Sequence, residues 1–277
     1  MDEMINFILN EDEGFGDITS NALINKDKII TANIISKDKG IFAGFEIIKE
    51  ILDKKNIEII DNFEDGDKIN KNDILLKIKG NARKILLLER TVLNLLMRMS
   101  GVATYTRNIV DMVGAINPDC KIAGTRKTSP GISKFDKIAL NIGGADTHRF
   151  SLDDMVLIKD NHIAIVGSPA KALELAKSKT SFSKKIEIEV ETFEDAIECS
   201  QIGADIIMLD NMDPTEIEKV LKKLNDSNLR KNVLIELSGG INESNIGNYA
   251  KLDIDIISLG ALTHSVRSLN FSLGVGK

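Results

Sequence analysis

The second half of this 277-residue chain alternates short apolar runs with helix-patterned segments, and that rhythm restricts the fold more than any other feature. Strand-like runs fall near residues 121–124, 155–158, 186–190, 206–209, 233–237 and 254–259, with helical patterns between most of them, as at 169–178 and 214–224. Alternation of this kind predicts a parallel sheet with right-handed crossovers. The connections are short and no dinucleotide fingerprint follows the first strand, so a barrel is expected rather than an open, doubly wound sheet. Six consecutive strands end in polar or glycine-rich sequence. The ends carry Arg126 and Lys127; Lys159; Glu189 and Glu191; Asp210; Ser238-Gly239-Gly240; and Gly260. In β/α barrels reactive groups gather at the C-terminal ends of the strands.

The first hundred residues read as mixed short elements. A short helix is predicted over 4–9, a turn over 14–20, a strand over 29–35 and a helix over 41–52 despite Gly44. Strands follow at 57–60 and 74–78, with Asp65-Gly66-Asp67 turning between them. The strongest helical pattern covers 82–99. Ser100-Gly101 is expected to interrupt it before a second helix runs to about residue 113.

Charge narrows the ligand class. The formal net charge is -6, yet residues 124–162 concentrate Arg126, Lys127, His148, Arg149, Lys159 and His162. A cationic cluster within an anionic chain suits a small, highly charged anion. A nucleic-acid surface would show as a broad basic stripe, and none is present. Cys120 and Cys199 lie at unrelated places, which argues against a structural disulfide and for a reducing cytoplasm. No apolar run approaches the roughly 20 residues that span a bilayer, so no membrane association is expected.

In Ile186-Glu187-Ile188-Glu189-Val190-Glu191, period 2 sends the aliphatic side chains to one face and the glutamates to the other. In a barrel the glutamates then point inward. The bland alternative is an edge strand with one wet face. Glu189 and Asp210, on neighbouring strand ends, form a carboxylate pair suited to Mg²⁺ with substrate phosphate oxygens. Ser238-Gly239-Gly240 and Gly260-Ala261-Leu262-Thr263-His264-Ser265 read as late-strand phosphate loops, although a lone Ser-Gly-Gly is commonly only a turn. For the histidines the plain readings are a loop residue at 148, a helix cap at 162 and a helix start at 264; none has zinc spacing.

Several motifs together resemble the quinolinate phosphoribosyltransferases. They are Glu11 to Thr19, Glu89-Arg90-Thr91-Val92-Leu93-Asn94, Ser100-Gly101-Val102-Ala103-Thr104, Thr125-Arg126-Lys127-Thr128, Met155 to His162, Met208-Leu209-Asp210-Asn211, Ser238-Gly239-Gly240-Ile241 and Gly260 to Ser265. The resemblance spans nearly the whole chain. It implies an α/β fold: an N-terminal α/β sandwich domain over residues 1–107, joined by the tail 266–277, plus an incomplete parallel β/α barrel over 108–265. It implies phosphoribosyl transfer from 5-phosphoribosyl 1-pyrophosphate to quinolinate with Mg²⁺ and no organic cofactor. The products would be nicotinate mononucleotide, pyrophosphate and CO₂, a step of de novo NAD biosynthesis. Shared active sites in a homodimer or larger assembly follow from the same likeness.

By matching motifs, Arg126, His148, Arg149 and Lys159 resemble quinolinate contacts, and Lys127 and Lys159 lie where pyrophosphate would sit. Glu189 and Asp210 resemble ribose or metal carboxylates, and Ser238, Gly239, Gly240, Gly260 and His264 the 5′-phosphate site. Arg90 is similar to the arginine that reaches the dicarboxylate from a neighbouring subunit. One departure stands out: Gly143-Gly144-Ala145-Asp146-Thr147-His148-Arg149 replaces a more glycine-rich loop and adds a carboxylate beside an anion site. A paralogue with another acceptor, including the molybdenum-transport-linked relative, and a non-catalytic sensor of phosphate ligands remain the alternatives at this point.

Overall fold

The structure, a computed structural model, describes residues 2–276. In chain order the elements are α1 (Asp2–Glu13), α2 (Ile18–Leu23), β1 (Ile29–Ser36), β2 (Gly40–Ile41), α3 (Phe45–Lys54), β3 (Glu58–Asn62), β4 (Lys68–Ile69), β5 (Ile74–Asn81) and α4 (Ala82–Gly114). Then come β6 (Lys121–Ala123), α5 (Ser133–Gly143), β7 (Val156–Ile158), α6 (Asp160–Val166), α7 (Pro169–Lys179), β8 (Ile186–Val190), α8 (Phe193–Ile202) and β9 (Ile206–Asp210). The chain closes with α9 (Pro214–Asp226), β10 (Leu234–Ser238), α10 (Ile246–Tyr249), β11 (Ile256–Ser258), α11 (Ala261–His264) and β12 (Phe271–Val275).

The chain divides into two compact units. One comprises Met1–Arg107, Ser129–Gly144 and Leu262–Lys277; the other comprises Asn108–Thr128 and Ala145–Ala261. The stretch Ser129–Gly144 thus groups with the first unit, whereas the sequence had suggested an uninterrupted barrel from residue 108.

In the first unit a four-stranded antiparallel sheet has the order β12-β1-β5-β3. Ala32 pairs with Val275 on one side and Ile78 on the other, so the C-terminal strand closes an edge of β1. Ala32, Ile34, Leu76 and Ile78 are buried, as are Ile48, Ile51 and Leu52 of α3. The segment predicted as a turn at 14–20 instead starts α2: the Asp17 carboxylate accepts the N–H groups of Thr19 at 2.9 Å and Ser20 at 3.0 Å, an N-cap. The helix expected over 41–52 begins later, after Gly44, whose φ of +110° ends the preceding strand segment and admits the first turn.

Helix α4 runs unbroken for 33 residues, so the break expected at Ser100-Gly101 does not occur. Both residues are small because the chain passes close to them. Ser100 Oγ accepts the Ala43 N–H at 3.0 Å, and a Cβ on Gly101 would lie 2.5 Å from the Arg267 carbonyl oxygen. Tertiary packing overrides the local signal for a break.

The second unit holds a six-stranded, wholly parallel sheet of order β6-β11-β10-β9-β8-β7. That order is the sequence order closed into a ring with one pairing missing, the one between β6 and β7. The result is a barrel with a single open seam, the incomplete barrel expected from the sequence. Period 2 sorts the side chains. Ile188, Val190, Ile207, Leu209, Ile235 and Leu237 are buried on one face, where Ala196, Cys199, Val220 and Leu224 of α8 and α9 are buried too. Glu187, Met208, Glu236, Ser238 and Ser258 occupy the alternate positions inside. Among the described residues no helix is long and apolar enough to cross a membrane.

Candidate active site

The segment after the seam sets the site. Asp146 pairs with the free edge of β6: its N–H reaches the Ile122 carbonyl at 2.8 Å and its carbonyl accepts the Gly124 N–H at 2.9 Å. Its carboxylate then caps the next turn, accepting the His148 N–H at 2.7 Å. His148 adopts φ +53°, a left-handed conformation uncommon for a residue with a side chain. The backbone turn carries the His148 ring into the barrel and Arg149 beside it. Asp146, the carboxylate that sets this loop apart from the family pattern, acts as a local cap on the His148 N–H.

At the C-terminal strand ends a cavity of about 260 Å³ is lined by Arg126, Lys127, His148, Arg149, Lys159 and Ser238, with Leu157 and Met208 as apolar walls. Six of the residues singled out in the sequence therefore converge. Burial and the neighbouring charge of Arg126 push the Arg149 guanidinium below its ordinary value, with Glu187 opposing them. Lys159 forms a short ion pair with Glu189 Oε2. Its own N–H is held by His162 Nδ1 at 2.9 Å, so His162 is the cap of α6, as its plainer reading had it.

Asp210 ends β9, and its carboxylate accepts a hydrogen bond from Asn211 Nδ2 at 2.7 Å. The loop after β10 lies close against that asparagine: a Cβ on Gly239, at φ +87°, would lie 2.3 Å from Asn211 Oδ1. Only glycine fits there. Gly260 follows β11 in the same unit, while His264 ends α11, exposed, with Nδ1 2.5 Å from Ser265 Oγ. Arg90 belongs to the first unit, exposed on α4. It borders a separate cavity of about 470 Å³ lined by Glu11, Asp12, Asn94, Arg98 and others. There Arg98 clamps the buried Asp136 with two 2.8 Å bonds and reaches the Thr263 carbonyl at 2.9 Å, a pairing not foreseen from sequence.

Sequence reasoning also passed over the deepest polar group of the barrel. His148 Nε2 lies 3.2 Å from Glu236 Oε2 and 3.3 Å from Glu187 Oε2, and both glutamates are fully buried. Burial opposes charge on the ring, but the hydrogen bonds and charges of the two carboxylates outweigh it and push His148 up to about 10. One contact resists that shift. The Arg149 N–H points at Nδ1 from 2.9 Å, and a second ring proton there would face a donor. This contact therefore works against the second ring proton that the two carboxylates favour. Burial pushes the Glu187 carboxyl up, the His148 hydrogen bond works against it, and the Glu236 charge adds to it. The three groups present ligand atoms within 4.8 Å of one another, spacing that a cation would also accept. A lone Glu236 at an inward position of an apolar strand was the signal available.

Residues 17–100 match the N-terminal domain of quinolinate phosphoribosyl transferase, and residues 102–274 match its C-terminal domain. The chain belongs to the quinolinate phosphoribosyltransferase family. A probable nicotinate-nucleotide pyrophosphorylase [carboxylating] of Methanothermobacter thermautotrophicus is 44% identical over 275 residues, covering 99% of each chain. The protein of the same name from Methanocaldococcus jannaschii is 48% identical over 269 residues, 96% of this chain and 94% of that one. Among solved structures, NadC from Streptococcus pyogenes superposes with a TM-score of 0.91 at 36% identity, covering 99% of this chain and 96% of that one. Family membership accounts for both the N-terminal sheet and the seamed barrel, and it places this chain among phosphoribosyltransferases.

Proposed function

We infer that the chain transfers a phosphoribosyl group from 5-phosphoribosyl 1-pyrophosphate to the nitrogen of quinolinate, with loss of CO₂, giving nicotinate mononucleotide and pyrophosphate. The observation that carries this reading is the cavity of Arg126, Lys127, Arg149 and Lys159 at the strand ends of a barrel whose family bears that name. Arg126 and Arg149 suit the two carboxylates of quinolinate, since a guanidinium can pair with a carboxylate through two hydrogen bonds. Lys127 and Lys159 suit the leaving pyrophosphate. The loop Ser238-Gly239-Gly240, together with Gly260, suits the 5′-phosphate.

Transfer displaces pyrophosphate from the anomeric carbon as the pyridine nitrogen bonds to it. Positive charge grows on the sugar, where the Glu189 and Asp210 carboxylates offset it, and negative charge grows on the leaving group, where the lysines do. The alkylated ring is then an electron sink: the C–CO₂ bond breaks, its electron pair stays at the ring carbon, and that carbon takes a proton. No protein nucleophile is required, so positioning and charge are the chain's contribution.

Glu189 and Asp210 offer hard oxygen donors at adjacent strand ends, a set that fits Mg²⁺ shared with substrate oxygens. Bound there, the ion would neutralise pyrophosphate charge. The ion pair between Lys159 and Glu189 would open or shift when that substrate enters. Arg90, exposed on α4, is assigned to the site of a neighbouring copy in a homodimer. A cytoplasmic setting agrees with two free, buried cysteines.

The test is turnover with quinolinate, 5-phosphoribosyl 1-pyrophosphate and Mg²⁺, reading CO₂ and nucleotide. Both products are expected, with little or no reaction of nicotinate. A folded protein that turns over neither acid, or both equally well, would refute the reading.

A further inference from the structure

The loop after β10 carries two successive glycines in the left-handed region, Gly239 at φ +87° and Gly240 at φ +61°. Glycine gives the loop this shape and also leaves it loose, because the peptide after Gly240 can turn over at little cost. A turned peptide exchanges a face that shows an N–H for one that shows a carbonyl oxygen. For a loop that is to hold an anion, the two faces are opposite in effect.

Two asparagines fix the face. Asn242 Nδ2 donates to the Gly240 carbonyl at 3.2 Å, and Asn245 Nδ2 donates to the same oxygen at 3.0 Å. The orientation of each amide follows from its other end. Asn245 Oδ1 accepts the Asn242 N–H at 2.8 Å and Asn242 Oδ1 accepts the Ser244 N–H at 3.0 Å, which leaves both nitrogens for the carbonyl. Closing the turn before α10 uses the two Oδ1 atoms. Two donors on one carbonyl are more than that turn requires.

Across a trans peptide the N–H points opposite to the C=O. Holding the Gly240 oxygen on the asparagine side therefore sends the Ile241 N–H to the other side. Among the described residues no acceptor takes the N–H of Gly239, Gly240 or Ile241. Asn211 Oδ1 fills the space beside Gly239, so the loop is held there as well.

We propose that Asn242 and Asn245 are positioning residues for the 5′-phosphate: they hold the Gly240 carbonyl outward, and the loop then keeps its N–H groups toward the anion. They act through the backbone. The inference rests on the reading of this loop as the 5′-phosphate site.

The deciding experiment measures, by isothermal titration calorimetry, the dissociation constants of two fragments of the phosphoribosyl donor. Ribose 5-phosphate carries the 5′-phosphate; inorganic pyrophosphate does not. Asn242→Ser keeps a short side-chain oxygen for the Ser244 N–H and loses the donor to Gly240. Asn245→Ala loses both of its bonds. Each is expected to raise the dissociation constant of ribose 5-phosphate about threefold, and the double variant about tenfold. Pyrophosphate and quinolinate are expected to stay within about twofold of wild type, since neither meets this loop. A rise of equal size for pyrophosphate or quinolinate would show a general loosening of the strand ends and overturn the proposal. A double variant that binds ribose 5-phosphate as wild type does would also overturn it.

Gly240→Val separates this inference from the reading beneath it. A β-branched residue is a steric outlier at φ +61°, so the loop itself is rebuilt. If Gly240→Val weakens ribose 5-phosphate and the asparagine variants do not, the loop reading stands and the inference alone falls. If wild type takes up no ribose 5-phosphate, or Gly240→Val folds and binds it unchanged, both fall. Where Asn245→Ala does not fold, Asn242→Ser, at an exposed position, carries the same comparison. Where Gly240→Val does not fold, Gly240→Ala replaces it.

Discussion

Arg126 and Arg149 share one small cavity, and the charge of the first works against the charge of the second. An anion with two carboxylates relieves that conflict, and one with a single carboxylate leaves part of it. Removing one arginine therefore takes away a charge-assisted hydrogen bond worth about 1.5–3 kcal/mol. Arg126→Ala is expected to raise the quinolinate KM roughly tenfold to a hundredfold, with the KM for 5-phosphoribosyl 1-pyrophosphate little changed; steady-state kinetics in both substrates checks it. At the cysteines the shift runs in the unreactive direction. Burial, aided by nearby carboxylates, pushes Cys120 and Cys199 each up to about 12, so both thiols stay protonated at pH 8. Iodoacetamide is expected to leave both unlabelled in the native protein and to label both once it is unfolded, as mass spectrometry would show. Gly239→Ala is a third case at this scale. The φ of +87° and the Asn211 side chain leave no room for a methyl group, so a loss of about 1–3 kcal/mol in unfolding free energy is expected, read from denaturant titration.

At the scale of elements, α4 sets two effects in opposition. A glycine inside a helix costs about 1 kcal/mol relative to alanine, so propensity alone favours Gly101→Ala. The new Cβ would meet the Arg267 carbonyl oxygen and the Ser268 Cα, which are backbone and cannot swing aside. The clash outweighs the propensity, and Gly101→Ala is expected to lower the thermal midpoint rather than raise it. The same position shows where sequence reading stops. Strands β8 and β9 were legible almost to the residue, because apolar runs bounded by charged and glycine-rich ends are local signals. The Ser100-Gly101 pair carries an equally local signal for a break, but its cause is a segment more than 160 positions later. The glutamates of β8 could be sent inward by period 2. Their meeting with His148 depends on a ring closed by strands far apart in sequence, which no periodicity reports. Strand β12 was likewise invisible as a strand, since its partner is β1 at the other end of the chain.

At the scale of the whole molecule, the open question is which copy of the chain supplies Arg90. The plain reading of an exposed arginine is a solvated side chain, worth well under about 1 kcal/mol. If Arg90 completes the site of a partner, Arg90→Ala and Lys159→Ala are each expected to be nearly inactive. Mixing the two after dissociation is then expected to restore up to about a quarter of wild-type turnover, the yield of random pairing into two-fold dimers with one intact site in each heterodimer. Absence of recovery, with subunit exchange confirmed by mass spectrometry, would place Arg90 and Lys159 in one subunit's site or remove Arg90 from the chemistry.

The seam between β6 and β7 has a consequence for how such a protein changes over time. Apart from the Asp146 bridge, the stretch that carries His148 and Arg149 contributes nothing to the strand ladder. Its sequence can therefore drift, lengthen or be exchanged with little effect on the register of the other strands. A closed ring would have tied every residue near the strand-end cavity to the integrity of the sheet. The gap separates the two, so that ligand preference can be revised in one short segment while the scaffold is inherited intact.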